Sequence, residues 1–150
     1  MPAQDPRQTV MTLWGSMCMS HLVLLGVGWA QYQRGVESVS PDNPLRFIWL
    51  PGMIAVLAAP LVERNAARKA LAKVEDANLM VQAAMTPLLF GWALREAGAL
   101  FALVGLLVTG NTTTWALLAG VAFASTLLAA PNQARIRAWR DEARRDQPPS

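Results

Sequence analysis

Residues 79–109 read LMVQAAMTPLLFGWALREAGALFALVGLLVT, and their only charged side chains, Arg95 and Glu96, stand side by side near the middle. A helix needs about 20 mostly apolar residues to cross a hydrocarbon core, so this stretch is long enough to span with residues to spare. The rest of the chain follows the same plan. No Asp, Glu, Lys or Arg occurs between Arg7 and Arg34, between Arg46 and Glu63, or between Glu96 and Arg135. A soluble bundle rarely leaves such gaps, because each of its helices needs a wet face. The 150 residues, enough for one domain, are 53% hydrophobic and 15% charged, against about a quarter charged in soluble domains.

Four apolar segments emerge. Residues 10–30, VMTLWGSMCMSHLVLLGVGWA, give about 31 Å of helix at 1.5 Å per residue. Their leader carries acid as well as base, and Gly28-Trp29-Ala30 is a poor cleavage site, so the segment reads as a retained helix rather than a signal peptide. Residues 31–46 are polar, with turn formers at Pro41, Asp42, Asn43 and Pro44. The second span, taken as 46–62, is short and holds Pro51, Gly52 and Pro60. It reads as a kinked span prolonged by its flanks, with a re-entrant segment as the alternative. Residues 63–76, ERNAARKALAKVED, are good helix formers and should continue as an exposed helix or structured loop. The third span is 79–109, with Pro87 at a first turn or kink. Gly110-Asn111 signals a tight turn, and residues 112–130 form the fourth span, about 28 Å long. Residues 1–9 read as a flexible N-terminus. Residues 132–150 form a basic tail that can place Ile136, Trp139 and Ala143 on one side of a short interfacial helix, with its last residues disordered.

The expected fold is therefore all-α and integral to the membrane, with four transmembrane helices. Arg7, four basic residues in 63–78 and five arginines after Pro131 then share one side, whereas the other carries only Arg34 and Arg46. The positive-inside rule makes both termini cytoplasmic, and Trp29, Trp49 and Trp115 fall at the outer ends of their spans, as an aromatic belt would. A bacterial inner (plasma) membrane fits this multi-pass pattern. The basic balance belongs to that bias and not to a nucleic-acid partner.

Ionised groups deep in hydrocarbon are costly and mark function or tight packing. Glu96 is short and cannot snorkel as Arg95 can, so it should be paired, hydrated or protonated. Neighbours in a helix project about 100° apart and face each other poorly. Gly91, Gly98 and Gly105 recur every seven residues, with Ala84 and Ala102 beside them, as on a surface for close helix approach. Arg95 falls at the edge of that face. Glu96 falls nearly opposite, with Leu89, Trp92, Leu100, Leu103 and Leu107. Arg95 is then expected in the bundle and Glu96 towards another subunit, a partner or lipid. Two alternatives remain open: an interior Arg95–Glu96 ion pair that fixes packing, and a protonatable site at Glu96.

His21 can bond to Glu96 or to a backbone carbonyl, as a structural group or as a proton relay. Serines and Thr126 in the spans can be satisfied by carbonyls of their own helices. The span methionines read as filler. Thr112–Thr114 is a candidate helix cap, and Asn111-Thr112-Thr113 matches a glycosylation acceptor in a turn too short for its transferase. The lone Cys18 supports neither a disulfide framework nor a thiolate–metal site. HExxH, a phosphate-binding glycine loop, a serine elbow and CxxC are all missing from the sequence. No enzyme activity, metal or cofactor is expected.

At residues 85–108, MTPLLFGWALREAGALFALVGLLV, the sequence resembles the carboxylate-bearing, proton-carrying helix of the ATP synthase rotor-ring proteolipid. The carrying residues run Ala93-Leu94-Arg95-Glu96-Ala97-Gly98-Ala99-Leu100-Phe101-Ala102-Leu103. The resemblance implies that Glu96 corresponds to the ion-binding carboxylate, and it is confined to this helix. Residues 47–62 hold only Gly52 where the proteolipid's paired helix repeats glycines, and 63–78 lack its Arg-Gln-Pro loop. The reading that unites these features is a small bacterial membrane protein, a structural or accessory subunit that forms a homo-oligomer or joins a larger membrane protein complex. The alternative is a proton- or ion-coupled component using Glu96, with Arg95 and His21 at the same site.

Overall fold

The computed structural model describes residues 5–35 and 43–145, and all their regular structure is helical. The elements are α1 (Pro6–Gln33), a 3-10 turn (Pro44–Phe47), α2 (Leu50–Leu71), α3 (Ala77–Thr109), α4 (Thr112–Leu128) and α5 (Gln133–Arg145). By length and composition three helical stretches can cross a membrane: Pro6–Gln33, Pro44–Leu71 and Leu79–Thr109. A fourth crossing is available if α4 and α5, bent 82° at their junction, are counted together.

Local chemistry sets the ends. Asp5 caps α1 by accepting from the Arg7 amide at 3.0 Å, with Pro6 in the first turn. The helix therefore starts inside the stretch expected to be loose. Residues 1–4, the turn residues Pro41 and Asp42, and the last five residues, 146–150, lie outside the described residues. Residues 63–71 continue α2 without a break, and the chain passes helically through Pro60 and Pro87. Gly110, at φ 66°, closes α3 by donating to the Leu106 carbonyl at 2.8 Å. The cap of α4 is Asn111, whose Oδ1 accepts from the Thr114 amide at 3.0 Å, rather than the threonines that follow. Asn132 starts α5 in the same way, through the Ala134 amide.

Packing divides into two apolar clusters with a polar layer between them. One cluster joins Val10, Ala67, Leu71, Leu88, Trp92, Ile136 and Trp139, so the buried face of α5 seals the α2–α3 turn end of the bundle. The other joins Val56, Ala102, Leu106, Trp115, Leu118 and Ala122 at the opposite end. Between them, Glu63, Arg95, Thr126 and His21 are all buried. The outer surface is studded with apolar side chains such as Ile54, Leu57, Phe90, Leu117 and Leu128, the last 85% exposed. An apolar exterior around a buried polar layer is the arrangement lipid favours and water does not.

Candidate functional site

The small residues of α3 do pack closely, and their partner is α2. A Cβ on Gly98 would strike Val56 and come within 3.1 Å of the Gly52 carbonyl oxygen, and one on Gly52 would come within 2.6 Å of the Phe101 Cβ. The two helices thus cross backbone to backbone at Gly52 and Gly98. Gly91 leaves room for a side-chain pair, since a Cβ there would lie 2.6 Å from Glu63 Oε2 and 2.9 Å from Arg95 Nη1. Gly105 meets only ordinary contact, 3.6 Å from the Trp49 Cβ. Ala102 is buried in the second cluster.

Arg95 and Glu96 do not pair with each other. Three helices flank α3, and the 100° between neighbours sends the two side chains into different seams. Arg95 Nη2 reaches Glu63 Oε2 at 2.8 Å, while Arg135 Nη2 from α5 reaches Glu63 Oε1 at 2.9 Å. Arg95 Nε also donates to Ser125 Oγ on α4 at 2.9 Å. Three helices therefore meet on one completely buried carboxylate, and α4 joins them through Arg95. The Arg135 guanidinium lies over the Trp139 ring, 4.5 Å from its centroid, which fixes its direction. Removing the acid from such a set leaves Arg95 as an uncompensated buried charge, so the set specifies how the helices assemble.

Glu96 faces α1. Ser20 donates to its Oε1, and Oε2 lies 3.5 Å from His21 Nδ1, with the Glu96 side chain 19% exposed. His21 also has Nδ1 2.9 Å from the Met17 carbonyl oxygen, and its Nε2 lies 3.5 Å from Thr126 Oγ1. Of the two alternatives for His21, the hydrogen bond goes to the backbone carbonyl, while Glu96 lies at ion-pair distance from the same nitrogen. Thr126 in turn donates to the Ala122 carbonyl. Glu96 also lines an open groove of about 400 Å³ between α1 and α3, whose walls include Ser16, Ser20, Ala93, Ala97 and Leu100. The carboxylate thus has contacts inside the bundle and an edge on its outer surface. Trp92, grouped on the wheel with the outward residues, is fully buried, and its Nε1 donates to the Ala129 carbonyl at 3.2 Å.

Glu63 stands at the head of a charged run that reads as solvated, so the sequence does not single it out. The missing clue was its heptad relation to Gly52, Val56 and Ala59 on one face of α2. Among the described residues no group of three or more His, Cys, Asp or Glu has the arrangement of a metal site. Comparisons with protein-family models, curated proteins and solved structures find no match.

Proposed function

We propose that the chain is a small, non-enzymatic accessory subunit of a bacterial inner-membrane assembly, crossing four times with both termini in the cytoplasm. The supporting observation is the groove between α1 and α3 with Glu96 at its edge. Ser16 and Ser20 on one wall, and Ala93 and Ala97 on the other, repeat the small-x-x-x-small spacing that lets a further helix approach closely. A carboxylate at the rim gives such a helix a hydrogen-bonding anchor. In this placement α4, about 26 Å long, crosses from the outer interface, and α5 turns to lie along the inner one. Its arginines beyond Arg135 then lie at the cytoplasmic headgroups, in keeping with the positive-inside rule. Helix α3, about 50 Å long, extends past the core on the cytoplasmic side, which brings Arg95 within reach of the interfacial Arg135.

The test is assembly in a gentle detergent. Wild-type protein should migrate as a complex, of itself or with other subunits, that Ala97→Phe and Glu96→Leu dissociate with helix content unchanged. A monomeric wild type, or variants that assemble normally, would refute the docking role.

The contacts of Glu96 with Ser20 and His21 favour a second reading, an ion-coupled component in which Glu96 exchanges a proton with His21. Carbodiimide labelling of bilayer-reconstituted protein from pH 5 to 9, with Glu96→Gln as control, separates the two. Labelling at Glu96 that persists near neutral pH supports proton coupling, and no labelling at any pH excludes it.

A further inference from the structure

The seam between α2 and α4 holds two open hollows that share Val121 as a wall. The upper one, about 390 Å³, is lined by apolar side chains that include Trp49, Met53, Leu57 and Leu117. The lower one, about 410 Å³, runs past Pro60 and Leu128 to Ser125, Arg95 and Arg135. Apolar wall thus gives way to cationic foot along a single seam. From Thr114 to Leu128 the seam follows α4 for about 21 Å, more than half of the roughly 30 Å hydrocarbon core. That is the reach of one leaflet's acyl chain with its glycerol.

The foot has unspent capacity for an anion. Two arginines face the single carboxylate of Glu63, so one positive charge is in excess. Arg95 Nη1 is turned towards Gly91 in the α2/α3 crossing, so what the foot offers is its excess of charge. Arg95 itself is only 2% exposed and acts through its charge from behind, whereas Arg135, at 26%, is the donor a headgroup reaches. A phosphate oxygen gives the accessible Arg135 guanidinium a charge-assisted acceptor.

We propose that this seam binds one anionic phospholipid of the cytoplasmic leaflet. One acyl chain lies along Met53, Leu57, Leu117 and Val121, and the phosphate accepts from Arg135, with the charge of Arg95 behind it. The lipid ties α5 to the α2/α4 seam and balances the excess positive charge of the polar layer. This inference rests on the membrane placement above and not on docking at the α1/α3 groove, which other helices line.

Native mass spectrometry of the full chain in detergent tests it, with equimolar palmitoyl-oleoyl phosphatidylglycerol and phosphatidylcholine as probes. A single phosphatidylglycerol adduct should be retained about tenfold more than phosphatidylcholine, because both carry the phosphate but the choline cation cancels its charge and is repelled by the two arginines. Arg135→Gln, which leaves Glu63 and Arg95 as a neutral pair, should bring the two lipids to parity. Val121→Phe, at an exposed position whose larger side chain fills the seam, should remove the adduct with circular dichroism unchanged. Equal retention of both lipids by the wild type, or a preference that survives both substitutions, overturns the site. So does efficient disulfide dimerisation of Val121→Cys in a Cys18→Ser background in phosphatidylglycerol bilayers, which would put a second copy in the seam. None of these readouts depends on the assembly state at Glu96.

Discussion

Replacing Glu63 by Leu removes the carboxylate that holds Arg95 and Arg135 together. Arg135 is partly exposed and can turn towards the surface, but Arg95 is buried and retains only Ser125 Oγ as an acceptor. Removing one partner of a buried pair costs about 3–5 kcal/mol. Arg95→Leu is milder, because Glu63 keeps its 2.9 Å contact with Arg135; loss of one hydrogen bond between charged groups costs about 1.5–3 kcal/mol. The double substitution removes the reason for both penalties, since apolar residues of similar volume replace a buried pair at little or no cost. It should cost at most about 2 kcal/mol, which implies a coupling of at least about 2.5 kcal/mol between the two positions. The assay is reversible unfolding in bicelles by a denaturing detergent, followed by circular dichroism for the four proteins of the cycle. A double variant whose loss equals the sum of the single losses to within about 0.5 kcal/mol would refute the Glu63-centred assembly.

Further outcomes follow from the same structure. Gly98→Ala should destabilise by about 1–3 kcal/mol because α2 must move away, while Gly105→Ala, with open contact at 3.6 Å, should be neutral or stabilise by up to about 1 kcal/mol through helix propensity; unfolding midpoints of the pair check the contrast. Trp139→Ala opens a cavity in the cluster that seals α5 and should cost about 3–5 kcal/mol, read as early proteolysis of α5 and a lowered thermal midpoint. In a Cys18→Ser background, a membrane-impermeant maleimide should label Gln33→Cys in intact cells and label Arg137→Cys only after lysis; the reverse pattern would invert the topology.

The helical class and the apolar stretches were legible because hydrocarbon imposes one crude rule, long runs without charge, and charge gaps survive any detail of packing. The glycine face of α3 was legible as a contact surface for a related reason, since small residues at helical spacing have few other uses in such a run. Its occupant was not, because Gly52 is a single glycine in α2 and only the crossing geometry sets it opposite Gly98. Glu63 hid among Arg64, Arg68 and Lys69 as one more charged residue. Periodicity says which residues share a face, but not that α5 folds back to bring Arg135 onto that carboxylate. The wheel placed Glu96 away from Arg95 and correctly separated their partners. It could not show that α1 covers part of that far face, so that Ser20 and His21 meet Glu96 beside an open groove. Trp92 was misplaced on the wheel for the same reason, since a helix enclosed on three sides buries more than one stripe.

The most direct test of the accessory-subunit account is site-specific photo-crosslinking in intact membranes, with benzoylphenylalanine at Ala97 in the groove and at Leu128 on the open surface. The account predicts one discrete protein adduct from position 97, lost when Glu96→Leu is added, and only lipid adducts from position 128. Lipid adducts alone from both positions would contradict it and leave Glu96 to the proton-coupled reading.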